Sequence, residues 1–478
     1  MSNIKPNILI IISDQLSAQA LPAYGNKFAV THNISQIMEM GARFKTAYTN
    51  YPLCLPARAS FWTSRYPHQT KIISNGGSLT EPVLDESVPT LGSIFTEAGY
   101  RAFNFGKKHD AGSLRGFECA VNVPDMEMED NEPVFPISVD TRRDRNTRKL
   151  VVDFLKNYKE DKPYVAIASF NNPHDICNWT GVFQGDRELP PFDGKVPDLP
   201  DNLYIDNKEF KNRPLPVQYM CCAHNRQAQI AEWSEDKIRR YLAAYHRFIE
   251  RVDEEIGLVL NALRSRKDAG NTLVVFFADH GDSMCGRWMA TKHTTFYDET
   301  IHVPLVFYGP GIEGRNKSLN GLVSLLDLTP TLCDYAGIDI SGYEFEGKSL
   351  LPWLKGEKEN ESPHEYLAGQ WYSEYCFTIE PGRMIRTARY KYTHYLEENG
   401  EELYDMENDP GEVRNRAGRE EFKSILEEHR KILRGYVENT NDPYFNTFWK
   451  ADNMWRSHKP GYRNHRGLAV SAYYRKNK

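Results

Sequence analysis

The stretch Pro6-Asn-Ile-Leu-Ile-Ile-Ile-Ser-Asp14-Gln15 places an uninterrupted apolar run directly before a carboxylate. A short apolar run of this kind is typical of a strand that is buried on both faces, as in the centre of a parallel sheet. Three further runs have the same character: Tyr164–Phe170, Leu273–Ala278 and Val303–Phe307. We therefore predict that Ile8–Ile12 and these three runs are central strands of one sheet.

Helical patterns lie between these runs, and the clearest follows Trp233-Ser234-Glu235. Its apolar and aromatic positions recur every three or four residues, which places them on one stripe of an amphipathic helix. They are Tyr241, Tyr245, Ile249, Val252, Ile256, Leu260 and Leu263. The alternation of strands and helices predicts an α/β fold with a large mixed, mostly parallel sheet flanked by helices. Because such sheets bind ligands beyond the carboxyl ends of their strands, Asp14 and Asp279 are candidate site residues.

The polar segment from Leu351 to Pro363 predicts a linker. Three short β patterns and the turn Glu-Asn-Gly (398–400) follow it and predict an antiparallel sheet. They are Met384–Tyr390, Lys391–Leu396 and Glu402–Tyr404. We therefore predict a large α/β domain of residues 1–362 and a smaller α+β domain of residues 363–478. The second domain ends in an aromatic and basic tail, which either touches a polyanionic substrate or packs on the domain.

The charge balance excludes several classes of protein. The 478 residues include 59 Lys plus Arg and 65 Asp plus Glu, which gives a net charge of −6. This balance argues against a nucleic-acid-binding protein that relies on a basic face. No apolar run approaches the ~18 residues of a membrane span, and the N-terminal run is too short for a signal peptide. We therefore expect a cytoplasmic protein, or a periplasmic or secreted one if a leader has been removed.

The segment Tyr51-Pro-Leu-Cys54-Leu-Pro56-Ala-Arg58 sets Cys54 apart from the other seven cysteines, which we expect to be reduced thiols. A proline two residues after a cysteine fits the first turn of a helix, where its missing N–H costs nothing. Cys54 would then lie in the positive potential of a helix N-terminus. Arg58 follows one turn later and can reach the same site. Taken alone, this short pattern leaves a buried structural cysteine as an alternative.

The Cys54 segment also resembles the signature of the type I sulfatases, in the alkaline phosphatase superfamily. Further blocks resemble this family in the same order along nearly the whole chain. They are Pro6–Gln15, Tyr66-Pro-His68, Gly106-Lys107-Lys108-His109, Asn172-Pro-His174, Ala278-Asp279-His280-Gly281-Asp282, Lys292-His293-Thr294, Val303-Pro304-Leu305 and Glu402-Leu-Tyr404-Asp405 with Asp409-Pro410. So many ordered blocks argue strongly against an accidental similarity, and the resemblance implies a sulfuric ester hydrolase.

The resemblance implies that a formylglycine-generating enzyme oxidises Cys54 to formylglycine. The three positions that such enzymes chiefly read, Cys54, Pro56 and Arg58, are intact. In the family's scheme the aldehyde is hydrated, and one hydroxyl attacks sulfur in line to form a covalent sulfate ester. The second hydroxyl then loses its proton, and collapse of the hemiacetal expels sulfate.

The resemblance also implies one divalent cation. Its ligands would be Asp14, Gln15, Asp279, His280 and the residue at position 54. Because oxygen donors dominate, we expect Ca2+, with Mn2+ or Mg2+ as alternatives. Gln15 stands where the family commonly has a second aspartate, so we expect the cation to be held less tightly or a slightly softer cation to be favoured. The Asp-Gln and Asp-His pairs also resemble the choline sulfatase and phosphonate monoester hydrolase branches.

Five further side chains have roles that the resemblance implies. Arg58, Lys107 and Lys292 would neutralise the diolate and the sulfuryl oxygens as charge spreads over them in the transition state. His109 would hydrogen-bond the diol and assist hemiacetal breakdown. His174 is the candidate acid that protonates the leaving alcohol.

The expected substrate is a sulfated carbohydrate, such as a saccharide derived from a glycosaminoglycan. Asp175 and Trp179 lie near His174 in sequence and offer a carboxylate and an indole to a sugar, although Trp179 fits the core equally well. The alternatives are a phosphonate or phosphate diester hydrolase, or a choline or aryl sulfatase. If Cys54 stays unmodified, a non-enzymatic binder of sulfated glycans is a third possibility. The sequence gives no indication of the oligomeric state.

Overall fold

The computed structural model of the chain describes most of its residues. They are 5–75, 83–121, 133–134, 137–138, 142–183, 188–189, 191–192, 194–214, 216–218, 230, 233–292, 295–313, 316–358, 361–372, 381–396 and 400–445. The predicted tail beyond Phe445, and His293 and Thr294 of one predicted block, lie outside these ranges.

The strands are numbered in chain order. They are β1 Asn7–Asp14, β2 Ala42–Tyr48, β3 Arg101–Gly106, β4 Glu118–Ala120, β5 Pro133–Val134, β6 Ile137–Ser138, β7 Tyr164–Pro173, β8 Thr272–Ala278, β9 Leu305–Tyr308, β10 Lys317–Ser324, β11 Tyr366–Trp371, β12 Gly382–Thr387, β13 Tyr390–Tyr395 and β14 Gly400–Asp405. Within the described residues, the main sheet has eight strands in the order β10-β2-β9-β8-β1-β7-β3-β4. This large mixed sheet confirms the predicted fold class.

The α-helices are numbered in the same way. They are α1 His32–Met40, α2 Cys54–Thr63, α3 Pro67–Thr70, α4 Leu91–Glu97, α5 Arg142–Asn157, α6 Ile176–Val182, α7 Asn207–Lys211, α8 Glu235–Arg264, α9 Asp298–Ile301, α10 Leu328–Tyr335, α11 Leu351–Leu354 and α12 Lys423–Asn439. Helices α5 and α8 pack against β7 and against each other. No helix in the described part of the chain is long and apolar enough to cross a bilayer.

The centre of the main sheet is parallel. Strands β8, β1, β7 and β3 are neighbours in that order, and each pair runs in the same direction. Every residue of β1 is buried, as expected for a strand covered on both faces. Because parallel strands end at the same edge, the residues that follow these four strands meet there.

One predicted strand runs in the opposite sense. Val303–Phe307 was expected among the parallel strands, but β9 pairs antiparallel with both β8 and β2. A parallel partner requires a crossover of a dozen or more residues that returns the chain to the other edge of the sheet. The described residues between Asp279 and Pro304 form a 3₁₀ helix at Gly286–Trp288, the four-residue helix α9 and turns, without a long crossover helix. The chain therefore re-enters the sheet reversed.

The long helix α8 confirms the predicted apolar stripe. All seven stripe residues are buried. Ser234 caps the helix, since its Oγ accepts the backbone N–H of Lys237 at 3.2 Å. Two of the seven, Tyr241 and Tyr245, carry hydroxyls toward the strand ends.

The second sheet has the order β11-β12-β13-β14, and all its pairs are antiparallel. Helix α12 covers it through a small apolar cluster. The cluster includes Ile385, Tyr392, Leu403, Leu426, Leu433 and Tyr436. An antiparallel sheet with a helix is the α+β arrangement predicted for the C-terminal part. The predicted boundary at 362/363 falls between β10 and β11, and its place as a domain boundary stays a prediction.

Candidate active site

Four strand ends converge at one edge of the main sheet. Asp14 is the last residue of β1, Asp279 follows β8, His174 follows β7 and Lys107 follows β3. Residues from distant parts of the chain are therefore neighbours because four parallel strands are neighbours. The start of α2, which carries Cys54, faces the same edge through the contacts described next.

Cys54 is the first residue of α2, and Pro56 occupies the first turn, as predicted. All ten residues of α2 are buried, and Cys54 is only 1% exposed. Its Sγ lies 3.0 Å from Nε2 of His280, 3.4 Å from Nζ of Lys292 and 3.7 Å from Oδ1 of Asp14. The thiol thus lies among metal-ligating and cationic groups rather than in an apolar core.

Arg58 and Lys107 hold the two buried carboxylates. The Arg58 guanidinium donates from Nε to Oδ2 of Asp279 at 2.8 Å, from Nη2 to Oδ2 of Asp14 at 3.0 Å, and from Nη1 to Oγ of Ser169 at 3.0 Å. Lys107 Nζ donates to Oδ2 of Asp14 at 2.6 Å. Arg58 therefore joins the ends of β1, β8 and β7, and its direct action on sulfuryl oxygens stays a prediction.

Asp14, Cys54, Asp279 and His280 form a possible metal site. One ligand atom from each lies within 4.8 Å of every other, and all four residues are buried. The donor set contains two carboxylates and one imidazole, which fits a divalent cation with a preference for oxygen. Two carboxylates buried side by side also need positive charge between them, since each raises the cost of ionising the other.

Gln15 lies beside this cluster in a left-handed conformation with φ of 67°. Its backbone N–H donates to Oδ1 of Asp279 at 3.1 Å. Its Oε1 accepts from Nζ of Lys292 at 3.0 Å, and its Nε2 donates to Oδ2 of Asp282 at 2.8 Å. Gln15 is thus held next to the metal cluster, while its role as a ligand stays a prediction.

The sulfatase family matches residues 6–338 of the chain, and residues 286–439 match the C-terminal part of N-sulphoglucosamine sulphohydrolase. The chain belongs to the sulfatase family.

Its relatives agree with this assignment. The Δ4,5-hexuronate-2-O-sulfatase of Bacteroides thetaiotaomicron is 44% identical over 465 residues, which cover 97% of this chain and 95% of that protein. The choline-sulfatase of Rhizobium meliloti is 29% identical over 457 residues, 87% of this chain and 83% of that protein. A solved 2-O GAG sulfatase superposes with a TM-score of 0.86 at 44% identity, over 92% of this chain and 93% of that one. The protein is therefore a sulfuric ester hydrolase.

In this sulfatase, the charges around Cys54 favour the ionised thiol. Burial raises the pKa of Cys54, but Lys292 and Lys107 oppose burial and bring the pKa well below its ordinary value. His280 and His109 also lower the pKa of Cys54. The surroundings therefore stabilise negative charge at position 54, which is what a nucleophilic oxygen at this position requires.

His174 lies near Cys54 and Asp14 in the sulfatase site, and both groups act on the pKa of its ring. Burial, Lys292 and Lys107 lower the pKa of His174 to about 4, so the ring is neutral near pH 7 in the free protein. The structure thus places the predicted residues His109, His174, Lys107 and Lys292 near Cys54, and Lys292 contacts its Sγ at 3.4 Å.

The two predicted sugar contacts beside His174 are interior residues. Trp179 is fully buried, and its ring lies 4.9 Å from that of Phe183 and 5.7 Å from those of Trp233 and Tyr241. The core alternative for Trp179 is therefore confirmed. Asp175 is 2% exposed and accepts from Asn171 Nδ2 at 2.8 Å, while its contact with a sugar stays a prediction. A carboxylate buried in this way holds its own loop.

Three supporting residues of the sulfatase site escaped the sequence analysis. Asp282 accepts from the hydroxyl of Tyr241 at 2.9 and 2.8 Å, in addition to Gln15. The hydroxyl of Tyr245 donates to the backbone carbonyl of Gln15 at 2.7 Å. The available signal was two tyrosines in an apolar stripe, because a buried phenol needs a hydrogen-bond partner.

Proposed function

We propose that this sulfatase removes the 2-O-sulfate from a Δ4,5-unsaturated hexuronate of a glycosaminoglycan-derived saccharide. The proposal is carried by the likeness to the Bacteroides thetaiotaomicron enzyme of that name, which extends over almost the full length of both chains. The solved 2-O GAG sulfatase supports the same substrate class. A sugar alkoxide is a poor leaving group, and the site contains a histidine beside the nucleophile position.

We further propose that position 54 is formylglycine in the active protein. Its hydrated aldehyde supplies the hydroxyl that attacks sulfur. In the unmodified chain, Sγ of Cys54 stands in for that hydroxyl oxygen, and its contacts mark the groups that surround the attacking atom. Burial opposes the charge of Lys292, but the neighbouring Cys54 raises its pKa above the ordinary lysine range. Lys292 thus offers fixed positive charge to the sulfuryl oxygens.

The divalent cation belongs to the same proposal. Asp14, Asp279, His280 and the residue at position 54 would hold it, with Gln15 as a further ligand. We propose Ca2+, with Mn2+ or Mg2+ as alternatives; the cation would supply Lewis acidity at the nucleophile. Arg58 donates hydrogen bonds to both carboxylates and Lys107 to Asp14, so they aim these groups into the cluster and favour their ionised forms.

His174 is the proposed acid for the leaving alcohol. It follows β7 at the edge of the sheet that carries the site, and its ring interacts with Asp14 and Cys54. A sulfate ester brings negative charge next to the ring, which opposes Lys292 and Lys107 and favours the protonated form. His109 also lies near position 54, where it lowers the pKa of the thiol, and is the proposed partner of the second hydroxyl.

A pair of isomeric disaccharides tests the function. The protein is co-expressed with a formylglycine-generating enzyme and given a Δ4,5-unsaturated disaccharide with a single sulfate, either on O2 of the uronate or on O6 of the hexosamine. We expect inorganic sulfate from the first isomer only, and none from either with the Cys54→Ala variant. Release from the O6 isomer alone, or faster turnover of a phosphonate monoester than of both sulfates, contradicts the proposal.

A further inference from the structure

We infer that Asp144 is a positioning residue for His174 and thereby governs delivery of the proton to the leaving alcohol. The inference rests on the proposed function, because the acid role of His174 is part of it. Asp144 lies in the first turn of α5 and is only 4% exposed. It belongs to none of the blocks that resemble the family.

The Asp144 carboxylate accepts hydrogen bonds from the two residues that precede Pro173 and His174. Its Oδ1 accepts the backbone N–H of Asn171 at 2.6 Å. Its Oδ2 accepts the backbone N–H of Asn172 at 3.1 Å and the side-chain Nδ2 of Asn172 at 2.7 Å. Hydrogen bonds to an ionised acceptor are about twice as strong as neutral ones. Three of them at consecutive residues therefore fix the path of the chain into His174.

The carbonyl groups of the same two residues are also paired. The Asn172 carbonyl accepts from Oγ of Ser13 in β1 at 2.8 Å, and the Asn171 carbonyl accepts the N–H of His174 at 3.1 Å. The turn is thus tied to α5 on one side and to β1 on the other. Since β1 ends in Asp14, the imidazole of His174 and the proposed metal cluster share one rigid frame.

Asp144 has no contact with position 54 in the structure, so any effect on chemistry must pass through the turn that it holds. Burial is the main cause that raises the pKa of the Asp144 carboxyl to about 7. Keeping a carboxylate here therefore costs free energy, which the three N–H contacts offset only in part. Removing them should leave the fold of the sheet in place and let the ring of His174 drift, and misplacement of a reacting group by ~1 Å can cost ~10²-fold in rate.

The test uses the isosteric variant Asp144→Asn, which replaces one acceptor oxygen by an NH2 group that faces backbone donors. We expect kcat on the 2-O-sulfated sugar to fall by about tenfold or more, a part of the ~10²–10⁴-fold that acid catalysis supplies. An aryl sulfate has a leaving group that needs no proton, so its kcat should change by less than about threefold. Asp153→Asn, on the exposed side of the same helix, is the matched control and should change neither.

A double-mutant cycle separates positioning from general support of the fold. In a His174→Ala background the acid is absent, so Asp144→Asn should cause no further loss on the sugar sulfate. Asn172→Ala removes only one of the three donors and should give a smaller loss with the same dependence on the leaving group. Thermal unfolding and metal content are measured for each variant.

The inference is overturned if both Asp144→Asn and Asn172→Ala lose kcat equally on sugar and aryl sulfates. It is also overturned if Asp144→Asn lowers kcat on the sugar sulfate by the same factor in the His174→Ala background as in the wild type. An Asp144→Asn protein that does not fold loses both activities alike, and Asn172→Ala then decides by its leaving-group dependence. Failure of the proposed function is a separate result: the wild-type protein would then release no sulfate from the sugar.

Discussion

Nε2 of His280 lies 3.0 Å from Sγ of Cys54, although 226 positions separate the two residues along the chain. The contact forms because α2 begins at the edge of the sheet where β8 ends. Nδ1 of His280 lies 2.9 Å from the carbonyl oxygen of Gly281, which can only accept, so Nδ1 carries the proton. Nε2 is therefore turned toward position 54 and the carboxylates, as a metal ligand must be.

The first prediction concerns the cation. Chelation should abolish sulfate release, and Ca2+ or Mn2+ should restore it, because the buried Asp14 and Asp279 need a divalent partner. His280→Ala should require a higher cation concentration for half-maximal activity. The measurements are elemental analysis and sulfate release during cation titration. Full activity in metal-free protein would contradict the prediction.

The second prediction concerns the nucleophile. Cys54→Ala should release no sulfate from any substrate, because the group from which the diol is built is missing. Cys54→Ser should be active only where the modifying system accepts serine. Peptide mass spectrometry provides the control, since formylglycine is lighter than cysteine and carries oxygen in place of sulfur. Activity in protein that contains only unmodified cysteine would refute a formylglycine mechanism.

The fold could largely be predicted from patterns that reflect local physical requirements. The apolar run before Asp14 gives β1, and the spacing of Tyr241 to Leu263 gives α8. Whether β9 runs parallel or antiparallel to its neighbours could not be predicted, because a short apolar run has the same hydrophobic pattern in either direction. Direction depends on whether the connection returns to the other edge of the sheet, and turns such as those after Asp279 have no periodicity that would reveal it.

The residues of the candidate site also divide into those that the sequence predicts and those that only the folded chain reveals. The residues proposed to act on the substrate belong to ordered blocks, so Cys54, Lys107 and His174 could be predicted. Asp144, which holds the turn before His174, lies outside these blocks and acts through hydrogen bonds to backbone and amide groups. A lone aspartate on a helix or in a loop is most often solvated, and only the folded chain shows which ones are buried.

The third prediction concerns a buried ion pair in the C-terminal part. Arg383 of β12 is fully buried and donates from Nε to Oδ2 of Asp442 at 2.6 Å and from Nη2 to Oδ1 at 2.9 Å. Asp442→Asn leaves the guanidinium buried without a countercharge, which should cost about 3–5 kcal/mol of unfolding free energy. The exposed Glu438→Gln on α12 is the control, and denaturant unfolding measures both.

The same pair gives a pH dependence. Burial opposes ionisation of Asp442, but Arg383 lowers its pKa in the folded protein. The contribution of the Asp442 carboxylate to the unfolding free energy is therefore fully present above the unfolded pKa of about 3.9. This contribution is lost as the pH falls through the lower pKa of the folded state. The difference between wild type and Asp442→Asn should shrink in acid. A difference in unfolding free energy that grows as the pH falls below about 3.9 would contradict the assignment of Asp442 as the countercharge of Arg383.

The fourth prediction is that loss of His174 depends on the leaving group. A nitrophenolate leaves without a proton, whereas a sugar alkoxide needs one, and general acid catalysis is typically worth ~10²–10⁴-fold. His174→Ala should therefore lose far more kcat on a sugar sulfate than on an aryl sulfate. Binding is measured separately, because a histidine that only holds the substrate would act on affinity. Equal losses in kcat would count against the acid role.

The last prediction concerns Asp282, which orients Gln15. The carboxylate of Asp282 accepts only, so it draws Nε2 of Gln15 toward itself and leaves Oε1 facing Nζ of Lys292. In Asp282→Asn an amide can donate, and Gln15 can turn over and present its NH2 to the lysine. Lys292 would then lose an acceptor that fixes its position next to Cys54.

Because the proposed partners of Lys292 are the sulfuryl oxygens, which every sulfate ester carries, this loss should not depend on the leaving group, unlike that of His174→Ala. We expect kcat to fall by about 10–100-fold on sugar and aryl sulfates alike, the usual effect of removing a partner that orients a metal-site residue. Tyr241→Phe is the matched control. It removes the phenol that donates to Asp282 but keeps the acceptor-only carboxylate, so its loss should be much smaller. A larger loss in Tyr241→Phe than in Asp282→Asn would show that packing around the phenol, and not the orientation of Gln15, sets the rate.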